Sequence, residues 1–378
     1  MIIKNASVFT EEGVFVKQDI YTKGTQFVKT EGEADADEII DGEGCFAVPG
    51  LTDIHFHGCV GYDFCDGTQE AIAKIAEYQA SVGVTSIVPS TMTLGEEVLK
   101  GVCETAAAYR KAGSGEKEAD LCGINMEGPF VAESKKGAQN STYIRKPDAG
   151  MYDRLNEASD HMIKLVAIAP EVEGAMEFIQ SKKGEVVLST AHTAADYDTA
   201  MEAFEKGATH VTHLYNAMNP YTHRAPGLIG AAADAGAEVE LISDGVHVHP
   251  SVVRNTFKMF GEDKVILISD SMMATGLDDG DYSLGGQAVK VVGNRATLAD
   301  GTIAGSATNL MDCVRTAVKK MNIPLETAIR CAAANPAKSV GIYDNYGSIT
   351  PGKIANVVLL KKADLALESV ILRGKKLS

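Results

Sequence analysis

Six residues able to bind a metal or move a proton stand at the ends of short apolar runs. They are His55 and His57 in LTDIHFHG, Glu127 in INMEGPF, His192 in VVLSTAHT, His213 in HVTHLYNAMNP and Asp270 in VILISDS. Imidazoles with a carboxylate are the donor set of a catalytic divalent site that keeps one position open for water. An aspartate beside such a site can take a proton from the attacking water and return one to the leaving group. Each residue also has a plainer reading. The His-Phe-His stretch could be two polar residues at a strand end, Glu127 a solvated turn residue, and Asp270 a helix N-cap before Ser271 and Met272. Their shared placement favours chemistry. A carboxylate at the inner end of a run as apolar as INMEG needs a cation or hydrogen bonds, and His55 and His57, two apart on a strand, share a face.

The elements that would position these residues alternate regularly. Eight apolar runs, GLTDIHF, TSIVPST, LCGINMEG, KLVAIAP, VVLSTAH, HVTHLYN, EVELISDG and VILISDS, are separated by stretches such as QEAIAKIAEYQASVG and AADYDTAMEAFEKG with apolar residues three and four apart. Strand and helix in strict turn predict a (β/α)8 barrel, an α/β fold whose chemistry sits where the strands finish. Residues 1–48 and 345–378 alternate apolar and polar residues around turns and are expected to fold together as a small β-sandwich. That leaves 49–344 for the barrel, with a β-hairpin excursion near 276–304 where Gly-containing turns cluster. The Asn335-Pro336 pair suits the N-cap and first position of a late helix.

At 378 residues and 45% hydrophobic content the chain can bury a large core. Its net charge of −16 disfavours nucleic acid and anionic membranes, so an anionic ligand must be held by a few local cations. Seven cysteines without a C-x-x-C pair suggest reduced thiols, and no stretch reads as a signal or membrane span, so a cytoplasmic location is expected.

The motifs PGLTDIHFHG, MEGPF, KKGAQN, STAHTAAD, THLYNAMNP, SDGVHVHP, ISDSMMATG, TIAGS and GSITPGKIANVVLL, spread over nearly the whole chain, resemble the amidohydrolase superfamily and, within it, the N-acetylglucosamine-6-phosphate deacetylase family. The resemblance implies hydrolysis of the acetamide of N-acetyl-D-glucosamine 6-phosphate to D-glucosamine 6-phosphate and acetate, with Glu127, His192 and His213 as ligands and Asp270 as acid and base. His55 and His57 would add a second ion, giving one or two divalent ions per subunit, zinc foremost, with iron, manganese or cobalt as alternatives. Many binuclear barrel hydrolases bridge their ions with a carboxylated lysine closing the fourth strand. Here that strand ends Ala169-Pro170-Glu171 and its Lys164 lies at the wrong end, so Glu127 must supply the bridge if two metals bind. Ala138, Asn216, Ala217, Ile303, Ala304 and Gly305 match positions that hold the sugar, and Arg224 and His247 match those that hold the phosphate. A homodimer is expected in which Arg224 reaches the neighbouring subunit's substrate. Gln139 stands where the family commonly has His. Its amide can donate to a carbonyl oxygen but carries no charge, which shifts oxyanion stabilisation toward the ion. His161, His210, His223 and His249 are expected to be structural or solvated. An amidohydrolase for another N-acyl sugar or a cyclic amide, and a non-catalytic barrel scaffold, are the competing readings.

Overall fold

The computed structural model of the chain describes residues 1–35 and 37–377. All eight expected barrel strands form: Leu51–Asp53, Val84–Ile87, Ile124–Met126, Ile163–Ile168, Val187–Thr190, His210–Val211, Glu238–Ile242 and Val265–Ile268. The third is interrupted. A short piece, Asp120–Leu121, pairs with the second strand, and Ile124–Met126 pairs with the fourth, so the third strand joins two arcs of parallel sheet. At the other seam the Asp270 amide donates to the His55 carbonyl at 2.9 Å and the His57 amide to that of Ser271 at 2.7 Å.

Helices cover the strands because their apolar faces match the outer face of the sheet. In Gln69–Ser81, capped by Thr68 on the Ala71 amide, Ile72, Ile75, Ala76 and Ala80 lie on one face and join Val84 and Ile87 in the main core. Asp196 and Asn309 cap Tyr197–Lys206 and Leu310–Met321 in the same way. The barrel interior is partly polar: Thr52 and Ser86 hydroxyls lie 2.8 Å apart, and Ser189 Oγ contacts His210 Nδ1 at 2.9 Å and Thr212 Oγ1 at 2.6 Å.

Both chain ends build a small sandwich. Ser7–Phe9, Phe15–Lys17 and Cys45–Pro49 share a six-stranded sheet with Val357–Lys361, Leu367–Leu372 and Lys375–Lys376. It faces a four-stranded sheet of Ile2–Lys4, Ile20–Lys23, Gln26–Val28 and Ile39–Asp41 across Ile3, Val8, Ile20, Phe27, Ala47, Val357 and Leu359. The run MIIKNASVF, continuous in sequence, is split by Asn5 at φ 64°, and its halves enter different sheets.

Two elements differ from expectation. The excursion is a four-stranded antiparallel meander, Gly280–Leu284, Gln287–Val292, Arg295–Thr297 and Ile303–Ser306, packed on Met92 and Met272 through Leu284, Val289, Val291, Ala296 and Ala304. The late helix runs over Ala334–Ser339 with Asn335 and Pro336 inside it. Asn335 does not cap: its amide donates to the Glu262 and Val265 carbonyls at 2.8 Å each, tying the helix to the eighth strand.

Candidate functional site

Four imidazoles converge on one carboxylate at the C-terminal ends of the barrel strands. Glu127, only 2% exposed and so no solvated turn residue, has Oε1 at 3.0 Å from His192 Nε2, 3.2 Å from His213 Nε2 and 3.5 Å from His55 Nε2. Its Oε2 lies 3.2 Å from His57 Nε2. Two sets of donor atoms, His55–His57–Glu127 and Glu127–His192–His213, each fall within 4.8 Å and share Glu127. Asp270 Oδ1 faces them from the eighth strand, 3.4 Å from His57 Nε2 and 3.7 Å from His55 Nε2. Among the described residues no helix starts at Asp270, so it is not an N-cap.

The chain is bent to achieve this. His192, His213 and Asp270 have φ of 44°, 28° and 50°, a left-handed region that costs a side-chain-bearing residue on the order of 1–3 kcal/mol and recurs at active sites. Tyr215 and Ala217, in the loop after His213, share it at 79° and 51°.

The proton positions test whether these donors fit a cation. His192 Nδ1 sits 2.9 Å from the Lys135 carbonyl, which only accepts, so the ring proton is on Nδ1 and Nε2 offers a lone pair toward Glu127. His55 repeats this, giving its Nδ1 proton to Glu240 Oε2 at 2.7 Å. A lone pair facing a carboxylate oxygen repels it unless a cation lies between them or the ring takes a second proton. The electrostatics of the cluster agree. Burial opposes charge on His55, yet Glu240 and Glu127 raise its pKa well above the ordinary value. His57 is raised against burial to about 10 by Asp270 and Glu127. Burial pushes Glu127 and Asp270 upward, and the surrounding imidazoles reverse it, leaving both lowered. The centre calls for positive charge, and the donor set fits a divalent ion.

The ligand cluster opens into a cleft of about 340 Å³. Ala138, Gln139, Asn216, Ala217, His247, Ile303 and Gly305 line it, together with Tyr215 and Thr302, which lie in the quoted motifs but had no assigned role, and Met92 and Leu284, which lie outside them. Ala304 does not line it; strand alternation turns its side chain into the apolar cluster beneath the meander. Gln139 faces the ligands rather than open space: its amide donates to Glu127 Oε2 at 3.0 Å and accepts from the Thr93 amide at 2.7 Å. His247 Nδ1 contacts Asp244 Oδ2 at 2.8 Å, while Asp244 Oδ1 accepts from the Val246 and His247 amides. Burial works against a charged His247, and Asp244 outweighs it, raising its pKa. Gln287 donates to the Ala138 carbonyl and Asn294 to that of Asp244 at 3.2 Å, which pins the meander as one wall of the cleft.

Arg224 is exposed and does not line the cleft of its own chain; His223 beside it is exposed too. His210 is buried against Ser189, His161 contacts Asn156 at 3.3 Å, and His249 caps Pro250–Phe260 through the Ser251 amide. Glu240 is the residue at the centre that sequence reasoning missed. The signal was a second carboxylate two residues after Glu238, inside the apolar part of the strand EVELI.

The sequence model of the amidohydrolase family matches residues 46–377. The chain is 36% identical over 380 aligned residues to N-acetylglucosamine-6-phosphate deacetylase of Bacillus subtilis, covering 99% of this chain and 93% of that protein. It is 33% identical to N-acetylgalactosamine-6-phosphate deacetylase of Escherichia coli O157:H7, with 86% of each covered. Among solved structures, N-acetyl-D-glucosamine-6-phosphate deacetylase of Mycobacterium smegmatis, a variant in complex with N-acetyl-D-glucosamine-6-phosphate, superposes with a TM-score of 0.91 at 32% identity, covering 100% of this chain and 99% of that one.

Proposed function

The chain belongs to the amidohydrolase family, and from that premise we propose that it hydrolyses the acetamide of N-acetyl-D-glucosamine 6-phosphate to D-glucosamine 6-phosphate and acetate. The observation that carries this reading is the four-imidazole cluster around Glu127 with Asp270 facing it, at the floor of a cleft about the size of one phosphorylated sugar. Glu127, His192 and His213 would hold the essential divalent ion, zinc foremost, and His55 and His57, with Glu127 common to both donor sets, would hold an auxiliary one. When bound, such an ion polarises the acyl carbonyl and makes water more acidic.

The protein's own groups do the rest. Asp270 accepts a proton from the attacking water at its carboxylate. As the new C–O bond forms and the C–N bond breaks, it returns that proton to the departing amine nitrogen. Asn216, Ala217, Ala138, Ile303 and Gly305 hold the sugar against the meander wall. His247, kept basic by Asp244, meets the phosphate, which an acidic chain must bind through a few local cations. Arg224 completes the phosphate contact from the second subunit of a homodimer, a role supported by its exposure outside its own cleft and by Tyr221, 52% exposed in the same loop.

Residues 49–344 form the catalytic unit in this reading, with 1–48 and 345–378 as the supporting sandwich. All seven cysteines are free and six are buried, which supports a reducing, cytoplasmic setting; no helix among the described residues is long and apolar enough to cross a membrane. The similarity to a relative named N-acetylgalactosamine-6-phosphate deacetylase raises a second reading, the 4-epimer as substrate. Acetate release from N-acetylglucosamine 6-phosphate, its galactosamine epimer and unphosphorylated N-acetylglucosamine, run beside metal analysis, decides between them. Turnover of the unphosphorylated sugar equal to that of the phosphorylated one would overturn the assignment.

A further inference from the structure

Two buried carboxylates below the cleft, Asp53 and Glu240, take no part in the chemistry above. Asp53 is occupied by the scaffold, accepting from Ser269 Oγ at 2.5 Å and the His55 amide at 3.2 Å. Glu240 differs because one of its oxygens touches both donor triads. Oε2 accepts the Nδ1 proton of His55 at 2.7 Å and the backbone N–H of His213 at 3.0 Å. Its other oxygen has no hydrogen-bond partner among the described residues; His210 Nε2 is 3.9 Å from it.

A carboxylate that takes the far proton of an imidazole fixes its tautomer, locks its ring and makes the near nitrogen a better ligand. Among the described residues, two of the four imidazoles have their far nitrogen engaged. His192 uses a neutral carbonyl and His55 a full carboxylate, while His57 Nδ1 and His213 Nδ1 are buried without partners. A charged residue at full burial in a barrel strand is costly unless it is paired. Its pairing here is with the auxiliary site.

We propose that Glu240 is a positioning residue for the second cation: it makes His55 a ligand and, through the His213 amide, holds the auxiliary donors in register with the primary triad. This rests on reading the two donor clusters as metal sites. The test is a titration of the metal-stripped full-length chain with Co²⁺, followed calorimetrically. The wild type is expected to bind two equivalents in separable steps. Glu240→Gln, which keeps the shape and loses the charge, is expected to weaken the second step by roughly 10–100-fold and the first by no more than a few-fold. Glu240→Asp, with the carboxylate drawn back by one methylene, should shift the same step should the amide variant fold poorly. In a His55→Gln background the second step should already be gone, and Glu240→Gln should change nothing further. Two equivalents bound by Glu240→Gln at wild-type affinity, with only the melting temperature of the stripped protein lowered, would overturn the proposal and leave a scaffold role. A wild type that takes up a single equivalent, unaffected by His55→Gln, would overturn the auxiliary site and the proposal together.

Discussion

Asp270 is held where a proton carrier is needed, with left-handed backbone at φ 50° and Oδ1 3.4 Å from His57 Nε2. Asp270→Asn keeps the shape and removes the basic oxygen. Turnover of the metal-loaded variant should fall by roughly 10²–10⁴-fold, the usual contribution of a general acid–base group, with an unchanged circular dichroism spectrum. Near wild-type turnover would reassign the proton carrier. Gln139 behaves differently from the oxyanion donor that its family position suggests, because its amide is engaged at both ends, by Glu127 Oε2 and by the Thr93 N–H. Gln139→Ala leaves a buried N–H unpaired and frees one side of the shared ligand. The expected result is a loss of about 1–3 kcal/mol in urea unfolding, together with weaker metal retention on dialysis. A variant that turns over slowly yet keeps its stability and its metal would restore the oxyanion role. The ligands themselves were legible because each closes its own apolar run, a local pattern. Glu240 and the Lys135 carbonyl were not, since the partners they serve, His55 and His192, lie 185 and 57 residues away along the chain.

The strand ends carry the geometry, and the turn after Glu127 shows how tightly. Gly128 has φ 82°, and a Cβ there would sit 2.0 Å from Thr93 Oγ1, in the residue whose N–H holds Gln139. Gly128→Ala therefore meets both a backbone penalty and a clash. It is expected to destabilise the fold by on the order of 2–3 kcal/mol in chemical denaturation and to loosen the grip of Gln139 on Glu127. A variant as stable as wild type would mean that the loop yields without strain. The eight strands could be read from sequence because apolar runs at regular spacing are a local signal. What escaped depended on partners. The halves of MIIKNASVF enter different sheets because Asn5 turns the chain. The excursion gains strands beyond a hairpin because Met92 and Met272 offer it a core. Asn335 serves carbonyls of a distant segment rather than its own helix.

At the scale of the whole molecule, the sandwich is clamped beneath the barrel. Arg373 donates to Asp120 Oδ1 at 2.7 Å, to the Glu118 carbonyl at 3.0 Å and to the Gly115 carbonyl at 2.5 Å, joining the last strands to the start of the third barrel strand. The opposite end stays open. There the loop between Asn219 and Pro226 projects Tyr221 and Arg224 into solvent, while His247 lines the cleft of the same chain. Proline at both ends stiffens this loop, which suits a reach toward a second subunit better than closure over its own site. A flexible lid remains the competing geometry, and mixing subunits separates the two. An Asp270→Asn chain and an Arg224→Ala chain, each nearly inactive alone on the phosphorylated sugar, are combined and allowed to exchange. If Arg224 acts across the interface, a heterodimer gathers both defects into one site and leaves the other intact, so each heterodimer recovers half of the wild-type activity. If Arg224 acts within its own chain, every site in the heterodimer keeps one defect and the mixture stays as inactive as its parents.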